Sequence, residues 1–348
     1  MSPGHPEERP AARLRRRPLA QAIPARSGAQ GGRPVAGTLT QSLALLAIVN
    51  PAASQGAAAR RWARLAPLLL HRFPDLTIRT TQAPGDAERW AAEWTAGRDD
   101  RGVLAYGGDG TVHEVVNGLL SGDGGGPPRL GIIPAGTGND VARNSGIPAD
   151  AEAAIARLAP ERPRPVDAAR IRFHSREGLS RTRFYINSTS VGVSPAANHI
   201  AARVRRVLPG KICYALGGVL ALIAESAGSY TVTSGEATLF SGPALNLTLA
   251  NGASFGGGMR ISPASVVSDG TLDLVVIGAI GRIRALLALS RLYAGTHVRM
   301  GGIRVVPARQ PVHLRRADRA MLIEADGAEF EAGNDLWVDI LPGAVQLL

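Results

Sequence analysis

Two short apolar runs in this chain each break into glycines and then resume with helical periodicity. GGDGTVHEVVNG occupies residues 107 to 118, and LGIIPAGTGNDVAR occupies residues 130 to 143. A buried strand that stops on glycine and turns directly into a helix leaves several backbone N–H groups exposed at one spot. Glycine lets another group approach those amides closely, and the start of a helix favours negative charge. Two such breaks, one carrying Asp109, predict cradles for a nucleoside triphosphate and its metal, and hence phosphoryl transfer.

The surrounding pattern sets the fold class. Residues 43 to 49 form a continuous apolar run, the mark of a buried parallel strand, and NPAASQG follows it. Strands are predicted at 76–81, 103–106 and 130–133, with helices at 57–71, 86–96 and 112–120. In the last of these, Val112, Val115, Val116 and Leu119 make a 3.6-residue stripe. Repeated strand–loop–helix units predict a doubly wound α/β domain over 41–164, with ligands at the C-terminal ends of its strands. Beyond residues 161–166 short strand-like runs dominate, which predicts a β-sandwich over 165–340. Two helical segments interrupt it, at 196–227 (broken at Pro209-Gly210) and 283–294. Residues 1–40 are rich in Pro, Arg, Gly and Ala without periodicity, and read as a disordered basic tail or as sequence ahead of the true start.

Charge and composition narrow the partners. The net charge is +11, of which +5 falls in residues 1–40, where seven arginines face Glu7 and Glu8. Lys211 is the only lysine and no G-K-[ST] occurs, so a Walker-type phosphate lysine is excluded. Cys213 is the single cysteine, flanked by apolar residues, which fits a small core residue in a reducing cytoplasm. Only 4% of residues are aromatic and no helix-turn-helix or zinc pattern occurs, so nucleic acid is not an expected partner. The longest later apolar run, 214–224, is too short to span a bilayer. Arg203, Arg205, Arg206 and Lys211 lie on a helical segment with apolar residues opposite. They would suit an anionic membrane, although a solvated basic face is the commoner explanation.

The motifs occur together in a fixed order. Asn50-Pro51 with Gly56, GGDGT, GTGND, FGGGMRISP (255–263) and SDGTLDLVVI (268–277) resemble the diacylglycerol kinase catalytic-domain family, which includes bacterial lipid kinases and sphingosine kinases. GGDGT alone is shared with NAD kinases; the ordered set covers almost everything after residue 41. The resemblance implies an ATP- and Mg2+-dependent lipid kinase that meets its membrane lipid substrate at the cytoplasmic face of a membrane. It also implies a β-sandwich second domain, with the chain end, 341–348, returning to the first; a homodimer is left open.

By the same resemblance, the phosphates of ATP lie against Gly107, Gly108, Asp109, Gly110 and Thr111, with Asn50 and Pro51 nearby and Asp109 essential. Asp109 alone reads first as a helix cap; beside Thr111, Glu114 and GTGND, metal binding or proton acceptance is the stronger assignment. Thr111 and Glu114 are also spaced as a capping box, and Asn117-Gly118 reads as a helix end. Gly136, Thr137, Gly138 and Asn139 offer a tight bend and hydrogen bonds to phosphate or ribose, or an ordinary turn into a helix. The resemblance gives Thr137 a nucleotide contact and sets Asn139 and Asp140 along the interdomain cleft. It further implies a metal site at Asp269 with backbone carbonyls near Val266 and Thr271. Asp269 and Asp273 would share a face if both lay in a strand.

Two departures from the family stand out. The family's Asp-Gly-Glu, whose glutamate is its proposed proton acceptor, is here Asp326-Gly327-Ala328, with the carboxylate one position later at Glu329. A one-residue slip in an extended segment turns the side chain to the other face. Glu329, Asp326 or Asp109 would then act as base, or activity is lost and the protein is a lipid- or nucleotide-binding regulator. At 193–196 the chain has Val-Ser-Pro-Ala where many members have Gly-Phe-Asp-Ala, which removes an acid near the acceptor.

Overall fold

The structure, a computed structural model, describes residues 43–98, 100–122, 125–204 and 210–348; the expected tail and Arg205 and Arg206 fall outside them. The chain begins with β1 (Ala44–Val49), α1 (Ala57–Arg72), β2 (Thr77–Thr80), α2 (Asp86–Thr95) and β3 (Arg101–Gly107). It continues with α3 (Asp109–Leu120), β4 (Arg129–Pro134), α4 (Asp140–Asn144) and α5 (Ala151–Arg157). The four strands lie parallel in the order β2-β1-β3-β4. Strand alternation explains why β1 is apolar throughout. Leu45, Ala47 and Val49 pack on α1 and α5, while Leu46 and Ile48 pack on α2 and α3. The three motifs of this half, after β1, β3 and β4, all leave the sheet at its C-terminal edge.

The second lobe comprises β5 (Arg164–His174), β6 (Ser180–Tyr185), β7 (Ser188–Gly192), α6 (Val193–Val204), α7 (Gly210–Ala224), β8 (Gly228–Ser234) and β9 (Ala237–Ala250). After these come β10 (Leu272–Gly278), α8 (Arg282–Arg291), β11 (Ile303–Ala308), β12 (Val312–Arg316), β13 (Met321–Ala325), β14 (Ala328–Ala332) and β15 (Asp335–Leu347). Antiparallel pairing joins these strands into the β-sandwich, whose core includes Ile171, Tyr185, Leu247, Leu274 and Ile323. β15 begins in that sandwich against β5 and β12, and its last residues, Gln346 and Leu347, pair in parallel with Arg129 and Leu130 of β4. A register shift between Leu341 and Val345 lets the strand bend. Buried Asp167 holds that bend by accepting N–H from Gly343 (2.8 Å) and Gly270 (2.7 Å).

Helices α6, α7 and α8 gather over one end of the sandwich. Leu289 of α8 packs against Gly218 of α7, and α7 packs closely along α6. The helical segment expected at 196–227 is thus two helices. Among the described residues, no helix is long and apolar enough to cross a membrane.

Several local expectations are corrected by packing. The helix after GGDGT begins at Asp109 with Gly108 as its cap residue, and no side chain caps it. The Thr111–Glu114 capping box does not form: Glu114 accepts instead from Ala87 N–H at the start of α2 (3.2 Å). Asn117-Gly118 does not end the helix, which runs to Leu120. Asn117 turns inward and exchanges hydrogen bonds with the backbone of Phe184 at 2.9 Å each way, tying α3 to the second lobe.

Candidate active site

The two glycine loops are pressed together. A Cβ on Gly136 would lie 2.4 Å from Gly108 Cα, and one on Gly107 would lie 2.3 Å from Thr111 Oγ1, so no side chain fits at either place. Asn50 at the end of β1 donates from Nδ2 to Thr111 Oγ1 (2.9 Å), which leaves the threonine hydroxyl proton free for another acceptor. Asn139, in the left-handed region at φ 51°, clips its own loop. Its Oδ1 accepts from Gly136 N–H (2.9 Å) and its Nδ2 donates to Gly136 O (3.0 Å). The first loop leans on the third through Ser54 Oγ, which donates to Ala135 O (2.7 Å). Of the predicted nucleotide-contact residues, all line one polar cleft except Pro51, Gly107 and Asn139.

At the inner end of the cleft, Asp109 Oδ1 accepts from Val141 N–H (3.1 Å). Burial pushes the Asp109 carboxyl up to about 6, and the charge of Asp140 adds to the rise. Asp140, also raised by burial, is held by Gly257 N–H (2.6 Å) and ion-paired with Arg143. Gly256, Gly257 and Gly258 all have positive φ, and this tight turn is what delivers the Gly257 amide. FGGGM therefore serves the acid pair from the second lobe.

Asp326 and Gly327 form the tip of the β13–β14 hairpin, both in the left-handed region (φ 45° and 88°). The Asp326 carboxylate accepts three backbone N–H groups, from Ile186 (2.7 Å), Asn187 (3.0 Å) and Ser188 (3.1 Å). Burial nevertheless pushes it up to about 7. Glu329 pairs across the hairpin with Glu324, and its carboxylate meets Asn198 Nδ2 and His199 Nδ1, each at 3.2 Å. Glu324 is buried and pushed up to about 8, chiefly by that burial.

A second hollow, mostly apolar, lies behind the cleft and is walled by α6, α7, α8 and the FGGGM turn. Leu222, Leu289 and Met259 line it, and Asp109, Asp140, Glu324 and Asp326 bring four carboxyl groups to its inner end. Asp109, Asn198, Asp326 and Gly327 line both hollows and form the wall between them. Val193 and Ser194, next to Pro195 where many family members have the acid, line the apolar side.

Residues 44–171 match the family model for the diacylglycerol kinase catalytic domain, and residues 187–348 match that for the YegS C-terminal NAD kinase beta sandwich-like domain. A Pseudomonas fluorescens protein named "Probable lipid kinase YegS-like" is 30% identical over 282 residues, covering 78% of this chain and 85% of its own. The chain belongs to the YegS-like lipid kinase family, with a diacylglycerol kinase catalytic domain. A Yersinia pestis protein of the same printed name is 29% identical over 271 residues, covering 78% and 86% of the two chains. A crystal structure of a diacylglycerol kinase from Bacillus anthracis shares the fold, with TM-score 0.64 at 24% identity over 88% of this chain and 96% of that one.

Within this lipid kinase fold Asp269 and Asp273 lie in different settings, because the strand begins only at Leu272. Asp269 is exposed in a turn ahead of β10, and its Oδ1 accepts from Thr271 N–H (2.9 Å). Asp273 lies inside the strand and accepts from Ser262 Oγ (2.9 Å) and Ser265 Oγ (2.5 Å), so the two carboxylates do not share a face. Thr271 Oγ1 accepts from Arg309 Nε at 3.3 Å, and Val266 is exposed. An all-oxygen set with one carboxylate suits a hard cation only weakly.

The sequence reading missed Glu324 as a site residue altogether. The register through Asp326-Gly327 would have placed it opposite Glu329, but nothing local marks it as buried. Asn187 was also missed; its amide helps hold Asp326, and its Oδ1 accepts from Asn144 (2.9 Å).

Proposed function

We propose that the protein transfers the γ-phosphoryl group of ATP to the hydroxyl of diacylglycerol or a related lipid alcohol. One observation carries this: a polar, amide-lined cleft and an apolar hollow share a wall of a few residues, two of them carboxylates. The cleft suits a nucleotide, with its triphosphate on Gly108–Thr111, Gly136–Gly138 and Asn50. The hollow suits acyl chains, with the headgroup at the wall. The residues also fit Mg2+. Asp109 and Asp140 are both raised by burial despite Arg143 nearby, so added positive charge is favoured there. Among the described residues, no three His, Cys, Asp or Glu side chains converge on a metal position. That suits an ion held by Asp109, phosphates and water. When bound, it would neutralise charge on the transferring phosphoryl group. We keep the Val266–Asp269–Thr271 turn as a proposed structural cation site, tested by calcium or magnesium titration of an Asp269→Asn variant.

The surface around the hollow supports peripheral binding to an anionic membrane. Ile283 is 79% exposed, and Leu286, Leu287 and Ile223 join it on the outer face of α7 and α8. Arg282, Arg284 and Arg291 flank them and α8 contains no acid, while its inner face lines the hollow. Such a basic-apolar face fits anionic headgroups. The test of function is transfer of label from γ-labelled ATP to dioleoylglycerol or to a total lipid extract in mixed micelles. Labelled phospholipid is expected; no transfer by folded protein to any lipid would overturn the assignment.

A further inference from the structure

An attacking hydroxyl must lose its proton, and a lipid in the apolar hollow presents that hydroxyl from the hollow's side of the wall. The carboxylates differ in what remains free. Asp326 has both oxygens filled by the three backbone amides. Asp109 gives Oδ1 to Val141 N–H and stands at the phosphate loop. Glu329 lines only the polar cleft, on the nucleotide side, and is held by Asn198 and His199.

Glu324 differs on every count. It lines the apolar hollow and not the cleft, and it is 4% exposed. Its Oε1 is fixed by Gly327 N–H at 2.6 Å, which orients the carboxyl group. Its Oε2 is, among the described residues, the one buried carboxylate oxygen with no hydrogen-bond partner. Such an oxygen is costly to keep unless a ligand supplies the missing donor.

We propose that Glu324 Oε2 accepts the proton of the attacking lipid hydroxyl, an assignment that rests on the kinase reaction above. The hydroxyl oxygen forms the new bond to the γ-phosphorus. The bond from that phosphorus to the β,γ-bridging oxygen breaks, its electron pair leaves with ADP, and the hydroxyl proton passes to Oε2. Burial raises the affinity of this carboxyl for a proton, and the charges of Asp326, Glu329 and Asp140 add to that. The other ionisable groups on elements packed against β13 are Glu331 on β14 and His199 and Arg203 on α6; β7 carries none. A base titrating near the working pH joins a useful ionised fraction to high proton affinity.

The test compares wild type, Glu324→Gln, Glu324→Asp and Glu329→Gln, with γ-labelled ATP and dioleoylglycerol in mixed micelles from pH 6 to 9. Glu324→Gln should lower kcat about 100-fold or more with KM for ATP within about threefold, and its residual rate should not vary with pH. Glu324→Asp should recover part of the rate, and wild-type kcat should climb with pH. A Glu324→Gln rate close to wild type, or a larger loss in Glu329→Gln, would overturn the role of Glu324 alone. No transfer by wild type to any lipid would overturn the kinase reading, and Glu324 with it. Should Glu324→Gln not fold, Glu324→Asp decides: kcat and a pH profile equal to wild type overturn the assignment, and a lowered kcat with KM for ATP kept and a displaced pH profile supports it.

Discussion

Gly108 and Gly136 meet backbone to backbone, so closely that a Cβ on Gly136 would stand 2.4 Å from Gly108 Cα. The two loops come from neighbouring parallel strands, and their contact sets the spacing of the amides that face the cleft. Gly136→Ala should therefore destabilise the protein by about 1–3 kcal/mol and weaken binding of a non-hydrolysable ATP analogue. Gly110→Ala, whose Cβ would meet nothing within 4 Å, should leave the denaturation midpoint unchanged or raise it. Equal midpoints for the two variants would show that the contact is not strained.

Asp109→Asn removes the carboxylate shared by both hollows. Turnover should fall on the order of 100-fold or more. Burial and Asp140 disfavour the ionised form of Asp109, so the same variant should be more stable than wild type at pH 8, by roughly 2 kcal/mol. A variant that keeps its rate would remove Asp109 from the reaction.

Stability without nucleotide should depend on pH in a stated direction. Asp109, Asp326 and Glu324 are raised to about 6, 7 and 8, so each binds its proton more tightly folded than unfolded. Their contribution is whole below the unfolded values, about pH 4, and is lost as pH rises toward 8. Glu324→Gln should gain on wild type by about 2 kcal/mol between pH 5 and 8 in urea denaturation. The same pH slope in both proteins would contradict the burial of this group.

Asp326 holds the hairpin tip on the β6–β7 corner. Asp326→Ala leaves the N–H groups of Ile186, Asn187 and Ser188 without their acceptor, at a cost of about 3 kcal/mol or more. Hydrogen exchange should quicken at those three amides before the rest of the sandwich. Unchanged protection there would mean that the backbone pairs elsewhere.

The exposed face of α8 should govern membrane attachment. Ile283→Glu with Leu287→Glu should reduce co-sedimentation with phosphatidylglycerol-containing vesicles, on the order of tenfold, with the thermal midpoint kept. Neutral vesicles should bind wild type weakly. Binding unaffected by the pair of substitutions would place the membrane contact elsewhere.

The strand–loop–helix units of the first lobe could be read from the chain because each depends on short-range patterns. An apolar run such as 43–49 implies cover on both faces, and glycines after it imply a sharp exit. The place of Asp109 at a strand exit was legible for the same reason, since its neighbours within a few residues define the loop. Thr111 and Glu114 misled because their spacing fits a cap, whereas Asn50 and Ala87, distant in sequence, took their hydrogen-bonding groups. Asp269 and Asp273 misled because the strand starts between them.

By itself the amino-acid order determined the two-lobed architecture, the family and the glycine loops, since these follow from periodicity and from glycines at local breaks. Only the folded molecule decided which acids are buried together. Glu324 sits in MLIEA, which looks half-exposed by alternation, and becomes enclosed because β7, β14 and α6 close around it. Burial and charge coupling arise from segments separated by up to about two hundred positions, and no local pattern encodes that meeting.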